Sequence, residues 1–511
     1  MTIKFVPNDP LAKNGPPVRN VKPRADRSAG QADFSYTGQV PEGIYNIGTP
    51  EFLYWQCREA ALLSVEVWEG IDGKLAAWGS SSPKKLALLQ NAGVELNAGY
   101  TQTGLEFYEF TTGSKTTFSG ASTDVVAHEA GHAFLDVIRP DLWNTSFPET
   151  NAFHEAFGDC MAILTALSDK QTREELLKAT PDLGKSNFVE AVMEDLADGT
   201  KREYGASFDG SAPRRALNDF KWQLPTTLPT SGKPSVLTSE VHSFGRLFSG
   251  CFYDAIRNIF LASSSKTPAS LWKAAQVAGK LLVTGARQAP ETVRFFQSVG
   301  RAMILADQMA NNGANREALR AAFTRHDIAL GSAAMLAPRA SLAGAAPKLG
   351  GAKRGSILTA TTRDDLKRRI GAPPSSRMSV TSRSIGGEQV AEATNYRNVS
   401  LGDLSKDLKD VVVVVAEPML IGSSGKRAAL LSSMPQESIT TDEVHTFVLT
   451  LLEKDSISFE RDEGATPVAR GIRSAGARRG ATGAQPRRRL PTHTIRARGD
   501  KKVLERIRFV C

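Results

Sequence analysis

The stretch TDVVAHEAGHAFLDVIRP, residues 123–140, constrains this chain more than any other. His128 and His132 stand one helical turn apart. On an α-helix that interval returns to the same face, so both imidazoles project side by side. Two nitrogens so placed suit one tetrahedral zinc ion, at about 2.0–2.1 Å each. Ser122 or Thr123 can cap the helix and Pro140 ends it. Glu129 adjoins the first histidine but is offset from the ligand direction. From there it can hold a zinc-bound water and take its proton. Such a site needs a third protein ligand, and therefore a fold that brings one in from elsewhere.

HEAFGD, residues 154–159, meets that need. Glu155 and Asp159 again lie one turn apart on one helix face, amid Ala, Phe and Gly, where an acidic pair is poorly placed for solvent. A carboxylate as third ligand leaves the fourth metal position open, as a catalytic rather than a structural site requires. Asp159 could accept the free N–H of a zinc-bound imidazole and fix its tautomer. His154 is an alternative ligand, but it points about 100° away from Glu155 around the helix.

The chain resembles the thermolysin-like zinc metallopeptidases, one of the gluzincin groups, over roughly residues 50–330. The motifs that carry the resemblance are SGASTDVVAHEAGHAF, HEAFGD, RALND and EVHSFGRLFSG. The resemblance implies His128, His132 and Glu155 as zinc ligands, Asp159 as their support and Glu129 as the general base. RALND is similar to the segment whose arginine binds the substrate carbonyl, which implicates Arg215, with Arg214 beside it left open. EVHSFG implicates His242 as a catalytic donor to the oxyanion. LNAGY is similar to the edge strand that pairs with peptide, which implicates Asn97 and Ala98. The implied activity is a zinc endopeptidase, a hydrolase that uses a metal-activated water and a glutamate base on a peptide or protein substrate. Two alternatives stand beside it. One is a gluzincin aminopeptidase, although the chain lacks that group's Gly-x-Met-Glu-Asn strand. The other is a catalytically inactive zinc-containing binding protein.

The chain departs from the family pattern in places. No tyrosine occurs from Ala133 to Glu155, where the family shares oxyanion stabilisation with one; Tyr204 is a candidate replacement. Calcium is possible but not supported: Asp124, Glu190, Glu194 and Asp195 are scattered candidates that also suit ordinary helix-face charges.

The implied fold is α+β, with a mixed α/β N-terminal lobe (about 46–140), a mainly helical C-terminal lobe (about 141–335) and the zinc helix in the cleft between them. The 511 residues leave room for more, about two to four domains in all. Residues 1–45, rich in Pro, Gly and charge, read as a flexible arm. SSPKKLALLQNAG reads as a helix capped at Ser82, and the aromatic, β-branched stretch from Val94 to Gly120 as strands and turns. From about 240 to 330 the apolar period is helical. Residues 336–405 read as a low-complexity linker. Residues 406–511 read as a small α+β accessory module: a buried strand at DVVVVVAEPMLIG, a helix at TTDEVHTFVLTLLEKDSI and a hairpin about the GD turn of THTIRARGDKKVLERIRF.

Charge divides the chain in the same way. The net charge is +9, yet residues 461–511 alone carry 14 Lys and Arg against 4 Asp and Glu, which leaves the remainder near neutral. Nucleic acid or another acidic partner is therefore expected only through this basic, Arg/Gly/Ala-rich region. The four cysteines, Cys57, Cys160, Cys251 and Cys511, form no CxxC pair and no disulfide framework. No apolar run nears the roughly 18 residues of a membrane span, and no secretory signal is visible. The default compartment is the cytoplasm, with leaderless export as the alternative.

Overall fold

The computed structural model describes residues 1–331, 360–370, 372–385, 388–424, 427–430, 435–459 and 490–511. Parts of residues 1–45, expected as a flexible arm, form strands and bury side chains. β1 (Ile3–Phe5) pairs antiparallel with β2 (Arg19–Val21), and β3 (Asp33–Tyr36) joins a larger sheet. Ile3, Phe5, Val6 and Phe34 are all buried. A handful of apolar side chains anchors a segment whose overall composition is polar.

α1 (Pro50–Asp72) starts where Thr49 Oγ1 accepts the Phe52 N–H at 3.2 Å, with proline at its first position. It is buried nearly all round and lies against the later helices of the core. The stretch after Ser82 is a strand, β4 (Lys85–Leu89), and not the expected helix. Leu86 and Leu88 are buried and alternate with more exposed neighbours, the two-residue period of a strand. Parallel neighbours on both sides of β4 satisfy its backbone and outweigh the local Ser-Pro start signal.

The aromatic stretch that follows forms β5 (Ala98–Thr101), β6 (Gly104–Phe107) and the hairpin β7 (Glu109–Thr112) with β8 (Lys115–Phe118). α2 (Thr123–Ile138) is capped by Ser122 Oγ, which accepts the Val125 N–H. α3 (Pro148–Ser168) packs along it. Then come α4 (Lys170–Ala179), β9 (Ala191–Val192), α5 (Glu194–Tyr204) and β10 (Arg214–Arg215). The helical period expected from 240 onward appears as α6 (Val241–Ala262), α7 (Pro268–Gln288), α8 (Phe295–Asn311) and α9 (Arg316–Arg325). One continuous apolar core joins α1 to α9 with the sheet β3–β6.

Much of the expected linker is ordered strand. α10 (Ala360–Arg369) precedes β11 (Arg377–Ile385) and β12 (Glu388–Ser400), which pair antiparallel along their length; the first part of the linker, 336–359, lies outside the described residues. Side chains from Arg377 to Ser382 of β11 are exposed or half-exposed, whereas Ala391–Asn395 of β12 are buried. β13 (Val411–Ser424), β14 (Arg427–Leu430), α11 (Glu437–Glu453), β15 (Ile457–Ser458) and the hairpin β16 (His493–Arg498) with β17 (Lys501–Arg506) follow. The sheet order is β11-β12-β13-β17-β16-β15, with β14 on β13. The basic Arg/Gly/Ala-rich insert falls on residues 460–489, outside the described ones, and the expected acidic or nucleic-acid partner rests on it.

The chain then leaves that sheet. β18 (Phe509–Val510) adds to the first one, which runs β18-β5-β6-β4-β3. Helices and mostly segregated sheets make the fold α+β. Among the described residues no helix is long and apolar enough to cross a membrane.

Candidate metal centre

α2 carries His128, Glu129 and His132, and α3 carries Glu155 and Asp159, so the packing of these two helices decides whether a site exists. They meet at glycine: a Cβ on Gly131 would stand 2.8 Å from the Gly158 Cα. That approach brings the three expected ligands together. His128 Nε2 lies 3.4 Å and His132 Nε2 3.7 Å from Glu155 Oε2. Ligands of one tetrahedral zinc ion, each about 2.0–2.1 Å from it, stand about 3.3 Å apart. All three residues are buried, the two imidazole nitrogens have no hydrogen-bond partner, and Glu155 Oε2 faces the His242 imidazole at 3.2 Å. Buried polar atoms are rarely left unpaired. Three of them converging on one point fit a divalent cation of zinc's ligand preference.

The far side of each imidazole is held. His128 Nδ1 is 3.0 Å from Asp159 Oδ1, so an Nδ1–H donates to the carboxylate and the Nε2 lone pair faces the site. Burial alone would raise the Asp159 carboxyl, but Arg214 and His128 outweigh it and hold it below the usual carboxylate range. His132 Nδ1 lies 2.8 Å from His154 Nδ1. His154 is therefore a support behind His132 and not a ligand. Burial pushes both His132 and His154 well below the usual histidine range, which keeps the imidazoles neutral, as ligation requires.

Glu129 is wholly buried beside the ligands. Burial pushes its carboxyl up to about 7, against the lowering effects of His128 and of a hydrogen bond from Cys511. Its Oε1 accepts that bond from Cys511 Sγ at 2.5 Å, and its Oε2 has no partner.

His242 opens α6, capped by Glu240, whose Oε2 accepts the N–H groups of His242 and Ser243 at 3.1 and 3.0 Å. Its Nδ1 is 2.6 Å from Glu240 Oε1, and its Nε2 is 3.2 Å from Glu155 Oε2 and 2.8 Å from the Val510 carbonyl oxygen. Burial opposes a charge on this ring, but Glu155 and Glu240 outweigh it and raise it to about 10. Lys454, from α11, reaches Glu240 Oε1 at 2.9 Å.

The expectation for Arg215 is corrected. Neighbouring residues of a strand face opposite ways, and on β10 it is Arg214 that turns inward. Arg214 donates to Asp159 Oδ1 at 2.9 and 3.1 Å and lines the cleft. Arg215 turns away to Glu190 and Ser186, with 44% of its side chain exposed.

Asn97 lines the cleft, whereas Ala98, the first residue of β5, is buried. Asn97 Oδ1 accepts the neighbouring Ala98 N–H at 3.0 Å, so that oxygen is turned onto its own backbone. The Ala98 carbonyl accepts the Cys511 N–H at 3.2 Å. Tyr204, at the end of α5, lines the same cleft.

Three of the scattered calcium candidates meet, together with a residue that sequence reading missed. Asp9 joins the buried Asp124 and Asp195 and the half-buried Glu194 in an acidic cluster. Asn8 Nδ2 donates to Asp124 Oδ1 at 2.8 Å, and Asp9 Oδ1 accepts the Leu11 and Asp195 N–H groups. Burial, then mutual repulsion, pushes Asp9 up to about 6 and Glu194 up to about 8. Asp9 Oδ2, Asp124 Oδ2 and Glu194 Oε2 have no hydrogen-bond partner. Glu190 is engaged by Arg215 instead.

The sequence matches no family model and no curated protein. The resemblance therefore rests on the motifs and on the geometry they adopt.

Proposed function

We propose that this protein is a zinc-dependent endopeptidase. The observation that carries the reading is the convergence of His128 Nε2, His132 Nε2 and Glu155 Oε2 at one buried point, next to the buried carboxylate of Glu129. When bound there, zinc supplies Lewis-acid polarisation of a peptide carbonyl and makes a water more acidic.

The chain's own residues do the rest. An extended peptide adds to the edge of β5, and the Ala98 carbonyl accepts a substrate N–H. Glu129 takes a proton from the attacking water and delivers it to the leaving amine. His242 donates from Nε2 to the carbonyl oxygen as negative charge grows there. Arg214 acts through Asp159, which holds the His128 ring in the tautomer that ligates. In this reading α2 lies in the cleft between a lobe bearing the first sheet and a mainly helical lobe, and an edge strand that grips the main chain suits internal peptide bonds.

The test is zinc content together with cleavage of internally quenched peptides blocked at both ends. Residues 509–511 lie along β5, so Cys511→Ser is assayed beside wild type. One zinc per chain and cleavage are expected, and Glu129→Gln should keep the zinc while losing about 10²–10⁴-fold in rate. Zinc-loaded chains that cut nothing in either background would overturn the proposal.

A further inference from the structure

The groove that a substrate would use is already filled by this chain. β18 pairs antiparallel with β5, Phe509 opposite Tyr100 and Val510 opposite Gly99, and the Cys511 N–H reaches the Ala98 carbonyl. The Phe509 ring is 1% exposed, stacked on His154 with centroids 3.8 Å apart and on His132 at 4.7 Å. The Val510 carbonyl takes the hydrogen bond of His242 Nε2. Cys511 Sγ sits on Glu129 and forms with it and His128 a second possible ligand group, which shares His128 with the first but does not include His132 or Glu155.

We propose that Phe509–Cys511 is a built-in occupant of the substrate groove and that, once metal is bound, the Cys511 sulfur moves from Glu129 onto the open position as the fourth ligand, which holds the enzyme latent. The proposal deepens the endopeptidase reading and rests on it. Three ligands leave one position open, and thiolate is a preferred zinc ligand, at about 2.3 Å. The cysteine does not stand alone. The buried atoms His128 Nε2 and Glu129 Oε2, on the two residues grouped with Cys511, lack hydrogen-bond partners.

Proton balance needs no outside reactant. As the sulfur joins the metal, the S–H proton passes to Glu129 Oε1, the carboxylate oxygen it already contacts. The group that would deprotonate water thus takes the thiol's proton, and sulfur stands where the water would have to stand. The Val510 carbonyl is held on His242 without a nucleophile to attack it. One short segment engages the base, the oxyanion donor and the edge strand together.

The segment is pinned to the body of the protein, so the occupancy belongs to the fold. Arg506 donates to the Trp143 carbonyl at 3.1 Å and its guanidinium lies 4.0 Å from the Phe509 centroid. Arg508 reaches Glu106 Oε2 at 2.9 Å. Release means peeling these contacts and the β18–β5 pairing away.

Cobalt(II) substitution in the full chain tests the proposal independently of activity. Cys57, Cys160 and Cys251 are buried elsewhere in the core, so a thiolate-to-cobalt charge-transfer band in the near ultraviolet can come only from Cys511. Wild type should show the band and Cys511→Ser should lack it. Both Cys511→Ser and Cys511→Ala should bind zinc about tenfold or more weaker by chelator competition, and both should cut blocked peptides faster than wild type. Absence of the band from wild type, or equal zinc affinity and equal cleavage in wild type and Cys511→Ser, overturns the proposal. If the band and affinity respond but no variant cleaves peptide, the endopeptidase reading and the latency fall together while Cys511 stands as a ligand.

Discussion

Gly158 lies so close to His128 that a Cβ on the glycine would stand 2.5 Å from the imidazole Nδ1. The bond from that nitrogen to Asp159 is what turns the other nitrogen toward the site. The ring's position is thus set from two sides, by a missing side chain and by a carboxylate.

Gly158→Ala should therefore lower zinc affinity. Within a helix alanine is favoured over glycine by about 1 kcal/mol, so helix propensity predicts a gain in stability. The clash predicts that the His128 ring moves and that zinc binds about 10–100-fold more weakly, the range seen when the support of a metal ligand is disturbed. Chelator competition measures the affinity, with helix content by circular dichroism as the control. Unchanged affinity would show that the ring's place does not depend on this contact.

The two neighbouring arginines should separate cleanly. Arg214→Ala removes the cation that holds Asp159, and should weaken zinc binding and slow cleavage together. Arg215→Ala removes a half-exposed partner of Glu190. It should leave zinc binding and cleavage at the wild-type level, and lower stability by leaving the buried Glu190 carboxylate without its cation. Measuring both variants in the Cys511→Ser background keeps the groove open. The reverse pattern would return the site role to Arg215.

The acidic cluster predicts a pH dependence of stability. Unfolded carboxyls titrate near pH 4, whereas burial lifts Asp9 to about 6 and Glu194 to about 8 in the fold. Between those limits the folded state binds more protons than the unfolded chain, so stability falls as pH rises. In the absence of divalent ions the thermal midpoint should drop from pH 5 to pH 8. Asp9→Asn should reduce that slope. A midpoint independent of pH in the chelated protein would rule the coupling out.

What could be read from sequence was whatever a single helix or strand decides. His128 with His132, and Glu155 with Asp159, share faces because an α-helix repeats every 3.6 residues. The hairpin at Gly499–Asp500 and the buried strand from Val411 follow from turn chemistry and apolar runs in the same way. Lys85–Leu89 shows where local signals stop. Its Ser-Pro start favours a helix, and only β3 and β6 on either side make it a strand.

Long-range contacts lie beyond such patterns. Arg214 rather than Arg215 faces Asp159 because of the register of β10 with β9, which carries no mark in the local sequence. His154 supports His132 only because α3 packs along α2 at Gly131 and Gly158. Asp9 reached the acidic cluster from a segment whose composition argued for disorder.

By itself, then, the sequence determined which side chains share a turn, and with them the metal-ligand chemistry that residues 128–159 can offer. Only the tertiary structure decided what fills the groove beside them. Cys511 and Glu129 lie 382 residues apart in the chain. Their meeting depends on β18 finding the free edge of β5 and on Phe509 finding the rings of His132 and His154. Those are burial and pairing energies between distant segments, and no local periodicity encodes them.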